Sequence, residues 1–352
     1  MREQGTFETD LGIGRGRIHF GKREGKPFSQ LSFIDVGDMN NDCEKTMMDG
    51  EKVEITILLN GMPATILLWP EKQKGSFTIP SIGFHRELSL QLVSEKSGFA
   101  GHHFIVPEPN IERLKAHQDY IEEPGEKVLR FELGNPQVLA YVKGQGIEVE
   151  DRHDLDSCLA IMDRLCALIH QDGVNYTHDK ENCGTIAQME HAFRHDHYTN
   201  CRGLALILAG VLRAYGYRAS AVECRPLSGD VHIVCEVYLE NLHRWVMLDP
   251  TNNLVFCRDG EPLSLFGLRR AMVERAELEV NAGASHNGNE VDSISLLAFM
   301  SNKLFYFVKA IDSCEDKQIA GGNAICLTSG ELLPSAGEWG LATNNLMLYY
   351  QA

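Results

Sequence analysis

The sequence predicts a multidomain protein of the α+β class. Apolar and polar side chains alternate in parts of residues 31–107, the pattern of half-buried strands, whereas residues 154–171 and 201–215 repeat apolar side chains at helical spacing. Two strand-like runs follow the second helix, and the chain of 352 residues exceeds one average domain. The predicted organisation is an irregular leader at 1–30, a β domain at 31–107, a connecting helix and strands at 108–150, a core domain at 151–280, and a C-terminal segment packed on that core at 281–352.

The composition is that of an ordinary globular chain with an acidic balance. Hydrophobic residues make up 43% and charged residues 23%. The formal net charge of −16 argues against binding to nucleic acid, because a phosphate backbone requires clustered Lys and Arg. The sequence has neither an apolar run of about 18 residues nor the apolar stretch of a secretion signal at its start. We therefore expect a cytoplasmic protein that does not bind membranes.

The ten cysteines are too sparse for a disulfide scaffold and lack CxxC spacing, so we expect reduced thiols.

The β domain is predicted from alternation that ends in a turn signal. Val53, Ile55, Ile57 and Leu59 alternate before Asn60-Gly61, a strong hairpin signal. Further strand-like runs at similar spacing favour a small β-sandwich. Nothing in these residues names a ligand, and a packing or spacer domain is the simpler interpretation.

The segment between the β domain and the core is predicted from Pro-marked boundaries and periodicity. We predict a helix after Pro107, followed by strands at 127–133 and 137–142. An amphipathic helix at 154–171 is expected to close at Gly173, and a shorter helix is expected at 185–195.

Cys201 differs from most other cysteines because it lies at the start of a predicted helix. Asn200 is a good N-cap residue, the following run is strongly apolar, and Gly216 stands where a helix commonly ends. The first turn of a helix lowers the pKa of a thiol from about 8.5 into a range of roughly 3.5–7.5. Cys158 and Cys166 lie on an apolar helix face instead, where burial raises the pKa. Cys201 is therefore the candidate nucleophile.

A base and its orienting partner are predicted from the two strands after this helix, DVHIVCEVYL and HRWVMLDPT. A hairpin centred on Glu240-Asn241 places His232 directly opposite Asp249 on one sheet face. The carboxylate would then hold one imidazole nitrogen and direct the other toward the thiolate. A slip of one residue would break this pairing. Cys235 falls on the opposite face and is a poor rival nucleophile.

These motifs together resemble the core of the transglutaminase-like superfamily, and in particular a bacterial-type member. The likeness rests on NCRGLALILAGVLRAYGYRASAVECRP and DVHIVCEVYLENLHRWVMLDPTNN: a Cys that opens a long helix, a strand with Arg218, a His that heads a Val-rich strand, and a Trp-containing strand that ends in Asp-Pro-Thr. The helix at 154–171 resembles the element upstream of that Cys. The likeness covers about residues 154–260.

The resemblance implies a papain-like fold with a catalytic triad of Cys201, His232 and Asp249, and neither a cofactor nor a metal is expected. The implied reaction is acyl transfer on an amide bond of a peptide, a protein or another amide substrate. Hydrolysis is favoured over transamidation, because many superfamily members outside animals resemble hydrolases. The alternative is a catalytically silent protein that binds peptide or glycan. Alkylation of Cys201 distinguishes the two, and the oligomeric state is left open.

Two positions depart from the family pattern. Thr199 stands where members often have Gly, and Ile233 stands where they often have an aromatic residue after the His. Both positions bear on substrate shape and on the oxyanion hole. The backbone N–H of Cys201 is the one donor that the sequence offers for that hole.

Other polar and apolar motifs have simpler interpretations. His191 and His195, with His197 close by, have a spacing that can bind zinc, but Ala192 replaces the Glu of HExxH, so we predict a solvated helix face or cleft wall and no metal site. Arg202 either supports the thiolate electrostatically or caps the helix turn. Residues 294–310 repeat apolar side chains at helical spacing, which predicts core packing or a cleft wall.

Overall fold

The structure is a computed structural model that describes seven strands within residues 5–104 and, continuously, residues 108–150, 152–227, 230–291, 293–313, 322–334 and 340–351. These residues form mixed helices and sheets, so the α+β class is confirmed. None of the helices in these ranges is both long enough and apolar enough to cross a membrane.

The chain divides into two compact units. Met1–Glu112 and Asp292–Ser301 form the first, and Arg113–Val291 and Asn302–Ala352 form the second. The second unit therefore takes in most of the segment 108–150 and most of the C-terminal segment, in addition to the predicted core.

The described helices have the following bounds: α1 Glu108–Ala116, α2 Pro136–Gly144, α3 Leu155–Leu168, α4 Thr185–Arg194, α5 Cys201–Ala214, α6 Leu265–Glu274, α7 Ser293–Ser301 and α8 Leu346–Tyr349. A 3-10 turn occupies Gly330–Leu332.

The described strands have these bounds: β1 Gly5–Asp10, β2 Arg15–Arg23, β3 Lys26–Asp35, β4 Val53–Leu59, β5 Met62–Leu68, β6 Leu88–Ser94, β7 Ala100–Phe104, β8 His170–Gln171, β9 Tyr198–Thr199, β10 Ala219–Arg225, β11 His232–Leu239, β12 Arg244–Leu248, β13 Phe256–Arg258, β14 Glu261–Pro262, β15 Glu279–Val280, β16 Ser285–His286, β17 Asn289–Glu290, β18 Tyr306–Ala310, β19 Ala324–Thr328 and β20 Leu341–Thr343.

The first unit contains two antiparallel sheets, ordered β1-β2-β3 and β5-β4-β6-β7. β4 and β5 pair with Leu59 opposite Met62; the turn predicted at Asn60-Gly61 between them lies outside the described residues. Within 1–30, where the sequence predicts an irregular leader, the structure forms β1, β2 and the start of β3. Polar and apolar side chains alternate from Arg17 to Phe20, as in a strand. The neighbouring glycines make this pattern hard to recognise in the sequence.

Both strands predicted in the segment 108–150 are wrong. Residues 127–133 make only an isolated bridge, between Arg130 and Asp312, and residues 137–142 form part of α2. The Oδ1 atom of Asn135 accepts the backbone N–H groups of Gln137 and Val138, at 3.0 and 3.2 Å. Pro136 occupies the first helical position, where its missing N–H leaves no unsatisfied donor. These start signals outweigh the strand propensity of the residues that follow.

α3 ends at Leu168, before the predicted stop at Gly173. Ile169 takes an extended conformation, and β8 then pairs in parallel with β9, with Gln171 opposite Thr199. This short pairing holds the chain immediately before Cys201. The apolar run at 294–310 is likewise divided, because α7 ends at Ser301 and Tyr306 begins β18.

The second unit is built around a six-stranded sheet in the order β12-β11-β10-β18-β19-β20. Its pairings are antiparallel except that of β19 with β20. The strands nearest the C-terminus therefore complete the sheet that begins with the β11–β12 hairpin. α5 packs on this sheet, and its buried side chains join those of α3, β11 and β12 in the main apolar core.

α5 approaches α4 closely at Gly210. A Cβ atom on Gly210 would lie 1.7 Å from Oγ1 of Thr185, so only glycine allows the two helices to pack at this distance.

The β11–β12 hairpin differs from the predicted register. Leu239 lies opposite Arg244 and Cys235 opposite Leu248, so the turn spans four residues and β12 is shifted by two positions. Because side chains alternate between faces, a shift of two leaves each side chain on its predicted face.

Candidate active site

Cys201 is the first residue of α5, and the chain before it fixes the helix start. Asn200 is the N-cap, and its Oδ1 atom accepts the backbone N–H of Gly203 at 3.0 Å. Cys201 is half-buried. The thiol thus lies at the positive end of the helix dipole, where a negative charge is favoured.

The thiol of Cys201 contacts both the ring of His232 and the backbone of Ile233. Burial alone would raise the pKa of Cys201, but hydrogen bonding to His232, the charge of His232 and the N–H of Ile233 lower it below its usual value. The thiolate therefore forms more readily at Cys201 than at an ordinary cysteine.

The ring of His232 is held on its other side by Asp249. Nε2 of His232 lies 3.0 Å from Oδ2 of Asp249, which leaves Nδ1 for the sulfur of Cys201. Burial alone would lower the pKa of His232, but the charge and hydrogen bond of Asp249, with the hydrogen bond of Cys201, raise it to about 10. The arrangement therefore favours an imidazolium paired with a thiolate.

Asp249 lies beyond the end of β12 and is oriented by the turn that follows. Its Oδ1 atom accepts the N–H of Thr251 at 2.9 Å, and its Oδ2 atom accepts Nδ2 of Asn252 at 2.9 Å. Burial would raise the pKa of Asp249, but the charge and hydrogen bond of His232, helped by these two donors, hold it below its usual value.

Asn252 is a positioning residue that the sequence argument missed. Its Oδ1 atom contacts Nδ1 of His286 at 3.2 Å, so its amide is oriented by one partner while it holds Asp249. The sequence feature that could have identified Asn252 is its position three residues after Asp249, in the run DPTNN.

Three other cysteines of the same unit are poor nucleophiles. Cys166, Cys224 and Cys235 all have a pKa above the usual value of a thiol, with burial as the largest cause. Cys235 belongs to the apolar core that includes α5, on the other face of β11 from His232. The structure thus brings Cys201, His232 and Asp249 together and keeps Cys235 apart from them.

Arg202 forms an ion pair with a buried carboxylate. Its Nη2 atom lies 2.5 Å from Oε1 of Glu223, and Arg225 holds the other oxygen of the same carboxylate through Nε at 2.8 Å. Glu223 lies directly opposite Ile233, the residue whose N–H reaches the sulfur. This network therefore lies beside the nucleophile, and sequence reasoning missed Glu223 and Arg225.

His178 supports the start of α5 from outside the helix. Its Nδ1 atom is 3.4 Å from Nδ2 of Asn200, which donates to it. Burial, and then the charge of Arg202, lower the pKa of His178 to about 4, so the ring is neutral near pH 7.

The side chain of Thr199 fits at the start of α5 because residue 203 is a glycine. A Cβ atom on Gly203 would lie 2.1 Å from Oγ1 of Thr199. The Thr199 side chain is therefore accommodated within the first turn of α5. The backbone N–H of Cys201 lies in the same turn, where helix donors lack intrahelical partners.

The three histidines of HAFRHDH make separate backbone contacts. Nε2 of His191 lies 3.0 Å from the carbonyl oxygen of Thr177, and Nδ1 of His197 lies 3.0 Å from that of Leu168. Nδ1 of His195 lies 2.7 Å from the carbonyl oxygen of His191. Within the described ranges, no group of three or more His, Cys, Asp or Glu side chains is placed to hold a metal ion.

In comparisons with known proteins, the chain matches no protein-family model and no curated relative.

Proposed function

We propose that the protein is a cysteine hydrolase or acyltransferase of the transglutaminase-like type that acts on an amide bond. The observation that carries this proposal is the chain of contacts from Cys201 through His232 to Asp249. A nucleophile, a base and a group that orients the base are the minimum for covalent acyl transfer.

The finer features of the fold form part of the same proposal. A helix that begins at Cys201 and packs on an antiparallel sheet that carries His232 supports a papain-like core in the second unit. The two sheets of the first unit support the predicted N-terminal β-sandwich.

In the first half of the proposed reaction, the Cys201 thiolate attacks the carbonyl carbon of the amide. The backbone N–H of Cys201 stabilises the oxyanion that forms. Nδ1 of His232 gives its proton to the leaving amine or ammonia, so the C–N bond breaks and a thioester remains. Asp249 keeps its charge and holds Nε2 of His232 throughout.

In the second half, water or an amine attacks the thioester, and His232 takes up the proton of the attacking group. Water gives hydrolysis to a carboxylic acid, whereas an amine gives transamidation to a new amide. Both outcomes regenerate the thiolate. Hydrolysis is the favoured outcome, on the strength of the sequence resemblance.

A panel of peptide amides and glutamine amides tests this proposal, with ammonia or amine release as the measurement. We expect release by the wild type, loss in Cys201→Ala, and retention in Cys257→Ala, which removes another partly exposed cysteine. Addition of a primary amine separates the two acyl acceptors, because only transamidation incorporates it.

The competing function is a silent protein that binds peptide or glycan. It would be favoured if no amide is turned over and Cys201 reacts with iodoacetamide at neutral pH no faster than Cys257. Alkylation that is fast at Cys201 and slow at Cys257 supports the catalytic function.

A further inference from the structure

Three cations from three segments of the chain lie at the end of the six-stranded sheet where Cys201 meets His232, and we call them the cationic rim: Arg202, Arg225 and Lys303. The sheet explains why they meet. Cys224 of β10 lies opposite His232 of β11 on one side and opposite Phe307 of β18 on the other. The chain segments next to these three residues therefore share the end of the sheet where His232 begins.

Arg202 and Arg225 share one buried carboxylate, so together they leave a net positive charge. The Glu223 side chain is only 4% exposed, whereas those of Arg202 and Arg225 are 26% and 33% exposed. The two arginine side chains are thus partly exposed, and a buried anion holds them in place. A planar guanidinium suits a carboxylate better than any other side-chain cation does.

Lys303 is the buried member of the cationic rim. The residue is 6% exposed, and its Nζ atom donates to the carbonyl oxygen of Asp230 at 2.5 Å, two residues before His232. Burial lowers the pKa of Lys303, and the charges of Asp230 and Cys201 act in the opposite direction, so Lys303 lies within electrostatic range of the nucleophile.

The three cations face two carboxylates, those of Glu223 and Asp230, so the cationic rim keeps an excess of one positive charge. The formal net charge of the chain is −16, so the protein as a whole repels small anions. The cationic rim weakens that repulsion beside the nucleophile.

We propose that the acyl donor carries a carboxylate next to its reacting amide, and that the cationic rim recognises this carboxylate. The inference rests on the proposed function, which supplies the acyl donor. Arg202 and Arg225 bind the carboxylate directly, and Lys303 is a specificity-determining residue that adds to the positive potential at the sulfur.

The first test needs no substrate. Iodoacetate and iodoacetamide both alkylate a thiolate with loss of iodide, and they differ in one negative charge. We expect the rate ratio of iodoacetate to iodoacetamide at Cys201 to exceed that of glutathione at low salt, and to fall as salt is added. Dividing one rate by the other removes any change in the pKa of Cys201.

Variants assign this charge effect to Lys303. We expect Lys303→Met to lower the ratio roughly fivefold, and Lys303→Arg to keep it, because a screened unit charge within electrostatic range of the sulfur has an effect of this order. Lys143→Met is the matched control: it removes a lysine of α2 that is paired with Glu148, and should leave the ratio unchanged. A wild-type ratio equal to that of glutathione and independent of salt would overturn the inference, even if Lys303→Met does not fold.

The second test uses acyl donors. Peptide amides that differ only in a glutamate or a methionine beside the reacting amide are compared by kcat/KM in the wild type, Lys303→Met and Arg225→Gln. We expect the wild type to prefer the glutamate peptide roughly tenfold and each variant to lose most of that preference. Equal turnover of both peptides overturns the inference and leaves the proposed function intact. Absence of turnover, with slow alkylation of Cys201, overturns the proposed function itself.

Discussion

Nε2 of His232 lies 3.0 Å from Oδ2 of Asp249, although the two residues are diagonal rather than opposite in their hairpin. Continuing the observed register by one pair places Asp249 across from Val234, which shares a sheet face with His232. Diagonal neighbours on one face remain within reach of an imidazole and a carboxylate. The contact between His232 and Asp249 is therefore kept, because β12 is shifted by two residues and both side chains stay on one face.

Asp249→Asn should separate positioning from folding. The variant keeps the shape of the side chain but removes the charge that raises the pKa of His232 to about 10. We expect that pKa to fall, which proton NMR of the imidazole measures, and amide turnover to drop by about 10²–10⁴-fold. Asp259→Asn, at an exposed turn position, is the control and should change neither. A His232 titration unchanged in Asp249→Asn would contradict the proposed pairing.

The alkylation rate of Cys201 should follow the ion pair with pH. Because the pKa of Cys201 is lowered, the thiolate persists below the pH at which ordinary thiols protonate, and reactivity is lost only as pH falls through that lowered pKa. At high pH the ion pair is lost when His232 gives up its proton, near its pKa of about 10.

Cys257 is the internal reference for this profile, because burial raises its pKa. We expect the alkylation rate of Cys201 to rise at a lower pH than that of Cys257, as followed by mass spectrometry of the labelled peptides. Parallel profiles for the two cysteines would count against the ion pair.

Lys309 and Glu236 are a pair of buried ionisable residues on the face of the sheet that carries His232, and they act on each other through charge rather than through a hydrogen bond. Both are fully buried, and the ammonium of Lys309 lies 4.5 Å from the centre of the Trp245 ring and 3.9 Å from that of Tyr349. We expect Lys309→Met to lower the free energy of unfolding by about 1–3 kcal/mol, because it removes the cation that opposes the rise in the pKa of the buried Glu236 carboxyl. Lys309→Met with Glu236→Gln should recover part of that loss, as denaturant titrations would show.

The same pair predicts a pH dependence with a definite sign. Burial lowers the pKa of Lys309 from 10.5 to about 8, although Glu236 opposes the shift. Between these two values the unfolded chain holds the proton and the folded chain does not, so the contribution of Lys309 to stability rises with pH. The stability of the wild type relative to Lys309→Met should therefore increase from pH 8 to pH 10, and a decrease would exclude this pKa direction.

Gly210→Ala should destabilise the contact between α4 and α5. The added methyl group would meet Oγ1 of Thr185 at 1.7 Å, and the helices must separate to admit it. We expect the free energy of unfolding to fall by about 1–3 kcal/mol. Adding Thr185→Ala should recover part of the loss, whereas Gly144→Ala, with open space around it, should have little effect. Equal effects at both glycines would show that packing is not the cause.

The start of α5 was predictable because its signals are local. Asn200 caps the helix, and Gly216, which the sequence marks as the stop, has a φ of +98°, a conformation that favours glycine. The common face of His232 and Asp249 was predictable for a similar reason, since side chains two residues apart along a strand lie on the same face.

The length of the hairpin turn was not predictable from the same pattern. Leu242 and His243 look like the start of a strand, but both belong to the turn, and His243 takes a positive φ of 50°. Without an Asn-Gly or Asp-Gly pair, nothing in the sequence fixes where the turn is centred.

Glu223 and Lys303 lay outside the sequence argument for a different reason. Each reaches the site only through sheet pairings between segments far apart in the chain. Neither stands in a local pattern that signals chemistry, so their roles follow from tertiary structure alone.

The place of β18, β19 and β20 in the sheet decides how short a working fragment can be. A fragment trimmed to residues 151–280, as the motifs suggest, would keep every triad residue but would leave β10 as an unprotected sheet edge. Such an edge invites self-association between copies. The smallest fragment worth expressing therefore extends to the C-terminal strands, because β18, β19 and β20 belong to the same sheet as the strand that carries His232.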